Sequence, residues 1–198
     1  PVSNGLNVGS SSQYAVSYAR LDPSPVSRTM AFDGESSVNL LDVSAPSVAR
    51  FWWSNRGDHI ETSLTQTFDL SAVERATLTF KLWYDIEDQF DFAYVLASRD
   101  GGLTWDTLQG SHTTVKNTLG QSLGHGYTGK GGEQAAWLNE RIDLGAYAGR
   151  SVMLRFQYIT DEGIHHPGLA VDDVAIPEIG FYDDAESNAG WDAEGFFR

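Results

Sequence analysis

The chain has no cysteine among its 198 residues, which removes disulfides, thiolate zinc sites and a cysteine nucleophile from consideration. No apolar run approaches the roughly 20 residues that a membrane helix needs, so no transmembrane segment is expected. Positive charge is scarce as well: 13 Lys and Arg stand against 27 Asp and Glu, a formal net charge of -14. Such a surface repels a phosphate backbone, and nucleic acid is excluded as a partner. Long helical stretches of Ala, Leu, Glu and Lys are missing, as is an HExxH pair, and the serines show no evident link to His59, His112 or His125, so neither a zinc peptidase centre nor a serine nucleophile has support. Pro1 is not an initiator methionine, and the chain is expected to be a fragment or a processed product.

What the chain does have is glycine, aromatic residues and alternation. Twenty glycines and 12% aromatic residues suit many strands joined by tight turns, and the length suits one sandwich core burying roughly 70% of the unfolded surface. The expected class is an all-β antiparallel sandwich of jelly-roll type. In residues 77–84, Leu78, Phe80, Leu82 and Tyr84 face one way, against Thr79, Lys81 and Trp83. Phe90, Phe92, Tyr94 and Leu96 repeat the pattern after an acidic turn, which predicts a hairpin between the two segments. The Arg-Asp-Gly-Gly turn at 99–102 predicts a further hairpin into a strand over 103–108. Residues 152–158 and 169–176 read as central strands, 14–20 and 27–32 as further strand candidates. Residues 109–134 form a long polar connection, the kind that binds something or holds a sheet edge.

Carboxylates gather where the first two strands meet. Asp85, Glu87, Asp88 and Asp91 fall within seven positions, and Asp172-Asp173 adds a consecutive pair in a strand pattern. If the strand is regular, one of that pair must face the core, and a buried anion without a partner costs several kcal/mol. Calcium takes six to eight oxygens, so Asp85, Glu87, Asp91, Asp172 and Asp173 are the expected metal ligands and calcium the expected cofactor. The alternative is a solvated tip together with an Asp held by Arg155 or another basic residue.

Other motifs carry less. The segment GHGYTGKG over 124–131 misses the phosphate-loop hydroxyl, with Gly131 in its place, and lacks the strand and helix that such a loop joins. His165-His166 has no third histidine at ligand spacing, and Arg56-Gly57-Asp58 is a tripeptide common by chance. Six tryptophans suit a core or a sugar-stacking platform. Trp83, on the face opposite Leu78 and Phe80, is the candidate ligand-binding residue for polysaccharide.

The segments FWWSNRGD, LWYDIEDQFDFAYV, SRDGGLTW, GYTGKGG, DLGAYAGRSVMLRFQYITD and GLAVDDVAIPEIGF occur in that order over most of residues 50–181. As a set they resemble the MAM-like accessory sandwich modules of secreted immune inhibitor A-like metallopeptidases. The resemblance implies a secreted or cell-surface module with structural calcium and no peptidase activity of its own. Residues 181–198, FYDDAESNAGWDAEGFFR, resemble the opening of a following module, which frames the domain as 1–180. A spare first strand invites strand addition to another copy. Phe181, Tyr182, Trp191, Phe196 and Phe197 are then the expected self-association residues, and a head-to-tail filament the expected assembly. The alternative is that this segment folds back into its own domain. The function expected is a non-catalytic, calcium-stabilised structural or interaction module, with a carbohydrate-binding or substrate-recognition accessory domain of a peptidase as the second reading.

Overall fold

The computed structural model describes residues 40–132 and 135–198. The strand candidates at 14–20 and 27–32 lie outside these residues. The described residues from Leu40 to Arg198 form one compact unit, which carries the sandwich.

Two five-stranded antiparallel sheets face each other across the core. The first runs β1 (Trp52–Trp53), β8 (Gly168–Ile176), β3 (Thr77–Asp85), β6 (Leu138–Asp143), with β9 (Phe181–Asp183) also on β8. The second runs β10 (Asp192–Glu194), β2 (Glu61–Asp69), β7 (Ser151–Ile159), β4 (Phe92–Ser98), β5 (Asp106–Thr107). Period-2 alternation turns Leu78, Phe80 and Leu82 of β3 toward Leu154 and Phe156 of β7. Phe80 and Phe156 meet edge to face at 5.0 Å between ring centres. Every expected central strand is central, β7 lying between β2 and β4, and β8 between β3 and the β1/β9 edge.

Three local expectations change. β3 and β4 do not form a hairpin: β3 pairs with β6 and β8, and β4 with β5 and β7. The acidic segment between them carries the chain from one sheet to the other. Alternation fixes which side of a strand is apolar but not which sheet it joins, and two inward apolar faces satisfy the pattern equally well. The second hairpin does form, with its strand shortened to Asp106–Thr107. The Asp100 carboxylate occupies the turn instead, accepting from the Ser98 hydroxyl at 2.7 Å, the Thr104 N–H at 2.9 Å and the Thr104 hydroxyl at 2.6 Å.

Neither Asp172 nor Asp173 faces the core. The register of β8 against β3 shifts between Thr79 and Lys81, and Asp173 takes φ 50°, the mark of a β-bulge. The extra residue lets Val171 and Val174 both enter the core, and Asp172 turns to the outer face beneath Ser47.

Residues 181–198 fold at home. β9 pairs with β8 and β10 with β2, and the main chain of Phe197 exchanges two hydrogen bonds with that of Trp53 at 2.8 and 2.9 Å. Trp191 and Phe196 are buried, and Trp191 packs on Phe68, Phe156 and Phe181. The Asp183 carboxylate takes the indole N–H groups of Trp52 at 3.0 Å and Trp191 at 2.8 Å, locking the segment to β1. The structure takes the fold-back alternative: the segment holding Phe181, Tyr182, Trp191, Phe196 and Phe197, expected as a spare strand for another copy, pairs with β8, β2 and Trp53 of its own chain. The compact unit runs to Arg198 and not to residue 180.

The long connection holds edges. Within its described part, Gly110 bridges Ile142, Tyr127 bridges Ala93 and Lys130 bridges Asp85, tying both sheets together. It also covers the outer face of β4, where the Leu123 N–H donates to the Tyr94 hydroxyl at 3.0 Å. Its anchor is Glu140, a buried carboxylate that accepts from the N–H groups of Ser111, His112 and Arg141 and from the Tyr127 hydroxyl.

Candidate metal centre

The crossing from β3 to β4 and the exit of β7 meet at one end of the sandwich. Because β7 runs antiparallel to β4 with Phe92 opposite Ile159, the residues just before β4 and just after β7 are brought together. Glu87 and Asp91 lie on the first segment and Asp161 on the second, and one carboxylate oxygen of each lies within 4.8 Å of the others.

The local backbone is fixed on both sides. The Asp91 N–H donates to the Glu87 carbonyl at 3.2 Å, closing a turn in which Gln89 takes φ 69°. The Thr128 hydroxyl bonds the Glu87 carbonyl at 3.0 Å and accepts from the Gln89 N–H at 2.7 Å. Across the gap, the Asp161 N–H donates to Asp91 Oδ1 at 3.0 Å, and the Tyr158 hydroxyl lies 3.4 Å from Asp91 Oδ2.

No ion pair among the described residues includes Glu87, Asp91 or Asp161. Two carboxylate charges at such a separation repel by about 3 kcal/mol at an effective dielectric near 20. Asp91 is fully buried. Burial pushes its carboxyl up to about 6, and the Asp161 and Glu87 charges push the same way against hydrogen bonds from Asp161 and Tyr158. Glu87 Oε2 is buried with no hydrogen-bond partner. Oxygen-only donors, uncompensated charge and an orphaned buried oxygen together fit a hard divalent cation.

Of the five expected ligands, the structure brings together two, Glu87 and Asp91. Asp85 is spent elsewhere: its carboxylate takes the Lys130 ammonium at 3.0 Å and His166 Nδ1 at 2.7 Å. Asp172 pairs across the sheet with Lys81 while Asp85 pairs with Gly168, so four residues of strand, about 13 Å, separate them. Asp172 accepts from the Ser47 hydroxyl at 2.8 Å, and burial raises its carboxyl to about 6. Asp173 accepts from the Tyr182 hydroxyl at 2.5 Å. Asp161 is the member of the cluster that reading the sequence missed. The available signal was register, since a strand pairing of 92 with 159 delivers 161 to the acidic crossing.

Trp83 stands on the outer face as expected, but it is buried there by Leu41, Trp53 and Ala170. None of the six tryptophans is exposed: four are buried, and Trp105 and Trp137 are half-buried. Trp105 lies under the Arg155 guanidinium, 4.3 Å from its ring centre.

Comparison with known proteins gives concordant results. The family described as immune inhibitor A-like, MAM domain, matches residues 37–198. The chain is 32% identical over 150 residues to the pre-pro-metalloprotease PrtV of Vibrio cholerae serotype O1, covering 74% of this chain and 15% of that protein. It is 29% identical over 172 residues to immune inhibitor A of Bacillus thuringiensis subsp. alesti, covering 82% of this chain and 23% of that protein. A 101-residue stretch is 31% identical to bacillopeptidase F of Bacillus subtilis, covering 51% of this chain and 6% of that protein. The chain thus spans under a quarter of the length of each of these relatives.

Proposed function

The chain belongs to the immune inhibitor A-like MAM domain family, and from that premise we propose that it is a non-catalytic extracellular module accompanying a secreted peptidase, stabilised by calcium at Glu87, Asp91 and Asp161. The observation that carries the cation is Glu87 Oε2, a buried oxygen without a hydrogen-bond partner among the described residues, set against two further carboxylates with no positive side chain paired to them there. A bound calcium supplies two positive charges at that point and satisfies the orphaned oxygen. The relatives named as metalloprotease and bacillopeptidase support the accessory role. So does the absence of an HExxH pair from the chain.

Extracellular calcium is matched by weak sites, with Kd values on the order of 10⁻⁴ to 10⁻³ M in exported modules. The test is calorimetric titration of chelator-stripped protein with calcium chloride. One site is expected in the wild type, lost in Asp161→Asn and retained in Asp172→Asn. Absence of a heat of binding up to tens of millimolar calcium (~10⁻² M, about ten times the upper Kd), or equal binding by Asp161→Asn, would remove the assignment.

A further inference from the structure

The cation cluster does not end at its three carboxylates. Asp161 belongs to the loop leaving β7, and that loop is stitched to the turn between β1 and β2, which carries Arg56-Gly57-Asp58. The His59 N–H donates to the Asp161 carbonyl at 2.6 Å. The Thr160 hydroxyl donates to the Gly57 carbonyl at 2.8 Å and accepts from the Ile60 N–H at 2.9 Å, while the Thr160 N–H returns to the Ile60 carbonyl at 3.0 Å. His165 Nδ1 lies 2.7 Å from Asp58 Oδ1, and His59 faces Glu162 at 3.7 Å.

Asp161 is therefore shared between two systems. Its N–H goes to Asp91 and its carboxylate to the cation cluster, while its carbonyl holds the turn through His59. The turn needs such support, because Asn55 at φ 68° and His59 at φ 54° both occupy the left-handed region without being glycine. Arg56, Asp58 and His59 are exposed, and Ile164 in the facing loop is 71% exposed, so this end presents a charged turn beside an apolar residue.

We propose that cation occupancy of the Glu87, Asp91 and Asp161 cluster fixes the exposed Arg56-Gly57-Asp58 turn, a cation-controlled conformational device at that end of the sandwich. The inference rests on the cation reading above. Without a cation, repulsion among the three carboxylates favours outward movement of Asp161, and the four hydrogen bonds joining Asp161 and Thr160 to the turn move with it. With a cation, local opening of the loop requires release of the ion, so opening is suppressed by the factor 1 + [L]/Kd.

Amide hydrogen exchange of the whole chain, in chelator and in calcium, reads this directly. At calcium a hundred times Kd, exchange at His59, Ile60 and Asp161 is expected to slow roughly 100-fold. The amides of Leu70 and Gly149, which bond Arg150 and Leu70 in a separate turn, serve as the reference and are expected to change far less. Thr160→Val removes both hydroxyl bonds while leaving the carboxylates in place; it should bind calcium and lose the slowing at Ile60. Asp161→Asn keeps the main-chain bonds and should lose the slowing at all three amides. Titration heats separate the two levels of the claim. No binding by the wild type overturns the cation reading and this inference with it. Binding without slowing at His59 and Ile60, or undiminished slowing in a folded Thr160→Val, overturns this inference alone.

Discussion

The Asp161 N–H donates to Asp91 Oδ1 at 3.0 Å across a sequence separation of 70 residues. That bond joins the exit of β7 to the entrance of β4, and it holds two carboxylate-bearing segments together although their charges oppose the contact. A structure stabilised on one side and repelled on the other is one whose stability depends on what enters between.

The first expectation concerns pH. Asp91 and Asp172 both have carboxyls raised to about 6 by burial, above an unfolded value near 3.9. A raised acid binds its proton more readily in the folded state. Stability from these groups is therefore full below about pH 4 and falls as pH rises through 6. Each shift corresponds to about 2–3 kcal/mol as an upper figure. In chelator, the melting temperature should fall between pH 4.5 and 7. Asp172→Asn should flatten part of that slope, since a neutral amide retains a partner for Ser47 and loses the buried charge. A melting temperature in chelator that rises steadily over this interval would contradict the burial account of both groups.

The C-terminal segment supplies the second. Asp183→Ala leaves two buried indole N–H donors, on Trp52 and Trp191, without their acceptor, at a cost of about 1–3 kcal/mol each. Truncation after Ile179 removes β9, β10 and Trp191 together, and it should abolish cooperative unfolding. Light scattering on the intact chain should show no calcium-dependent polymer whose growth depends on residues 181–198. Multimers that disappear on truncation, with the shortened chain still folded, would restore strand exchange between copies.

Trp83 supplies the third. With its ring enclosed by Leu41, Trp53 and Ala170, Trp83→Ala should cost about 3–5 kcal/mol of stability. A panel of polysaccharides should leave the wild-type tryptophan fluorescence unchanged. Quenching that disappears in a stable Trp83 variant would show that this face opens to ligand.

Much of the architecture was legible because alternation is a strong local signal. β3, β7 and β8 follow directly from Leu78, Phe80 and Leu82, from Val152, Leu154 and Phe156, and from Leu169 and Val171, all of which enter the core. Pairing was less legible, because the partner of an apolar strand face depends on contacts remote in sequence. That is why residues 77–84 and 90–96 read as a hairpin and stand in different sheets. The site divided along the same line. Glu87 and Asp91 were visible as neighbours in an acidic turn, while Asp161 became visible only through the register of β7 on β4. Asp85 and Asp172 carry the right chemistry, but Lys130 and His166 take the first and a bulge with Ser47 takes the second. The tail misled because a resemblance to a module opening says nothing about pairing, whereas edge pairing with β8 and β2 is decided by where the chain already is.

The most direct test of the calcium-stabilised module is thermal unfolding of the intact chain across a calcium series, from excess chelator to a hundred times Kd, beside Asp161→Asn. Linkage at that excess gives about 2.7 kcal/mol, which for a domain of this size corresponds to about 5–10 °C. The account predicts that rise for the wild type and its absence in the variant. Superimposable wild-type melting curves in chelator and at the top of that calcium series would contradict it.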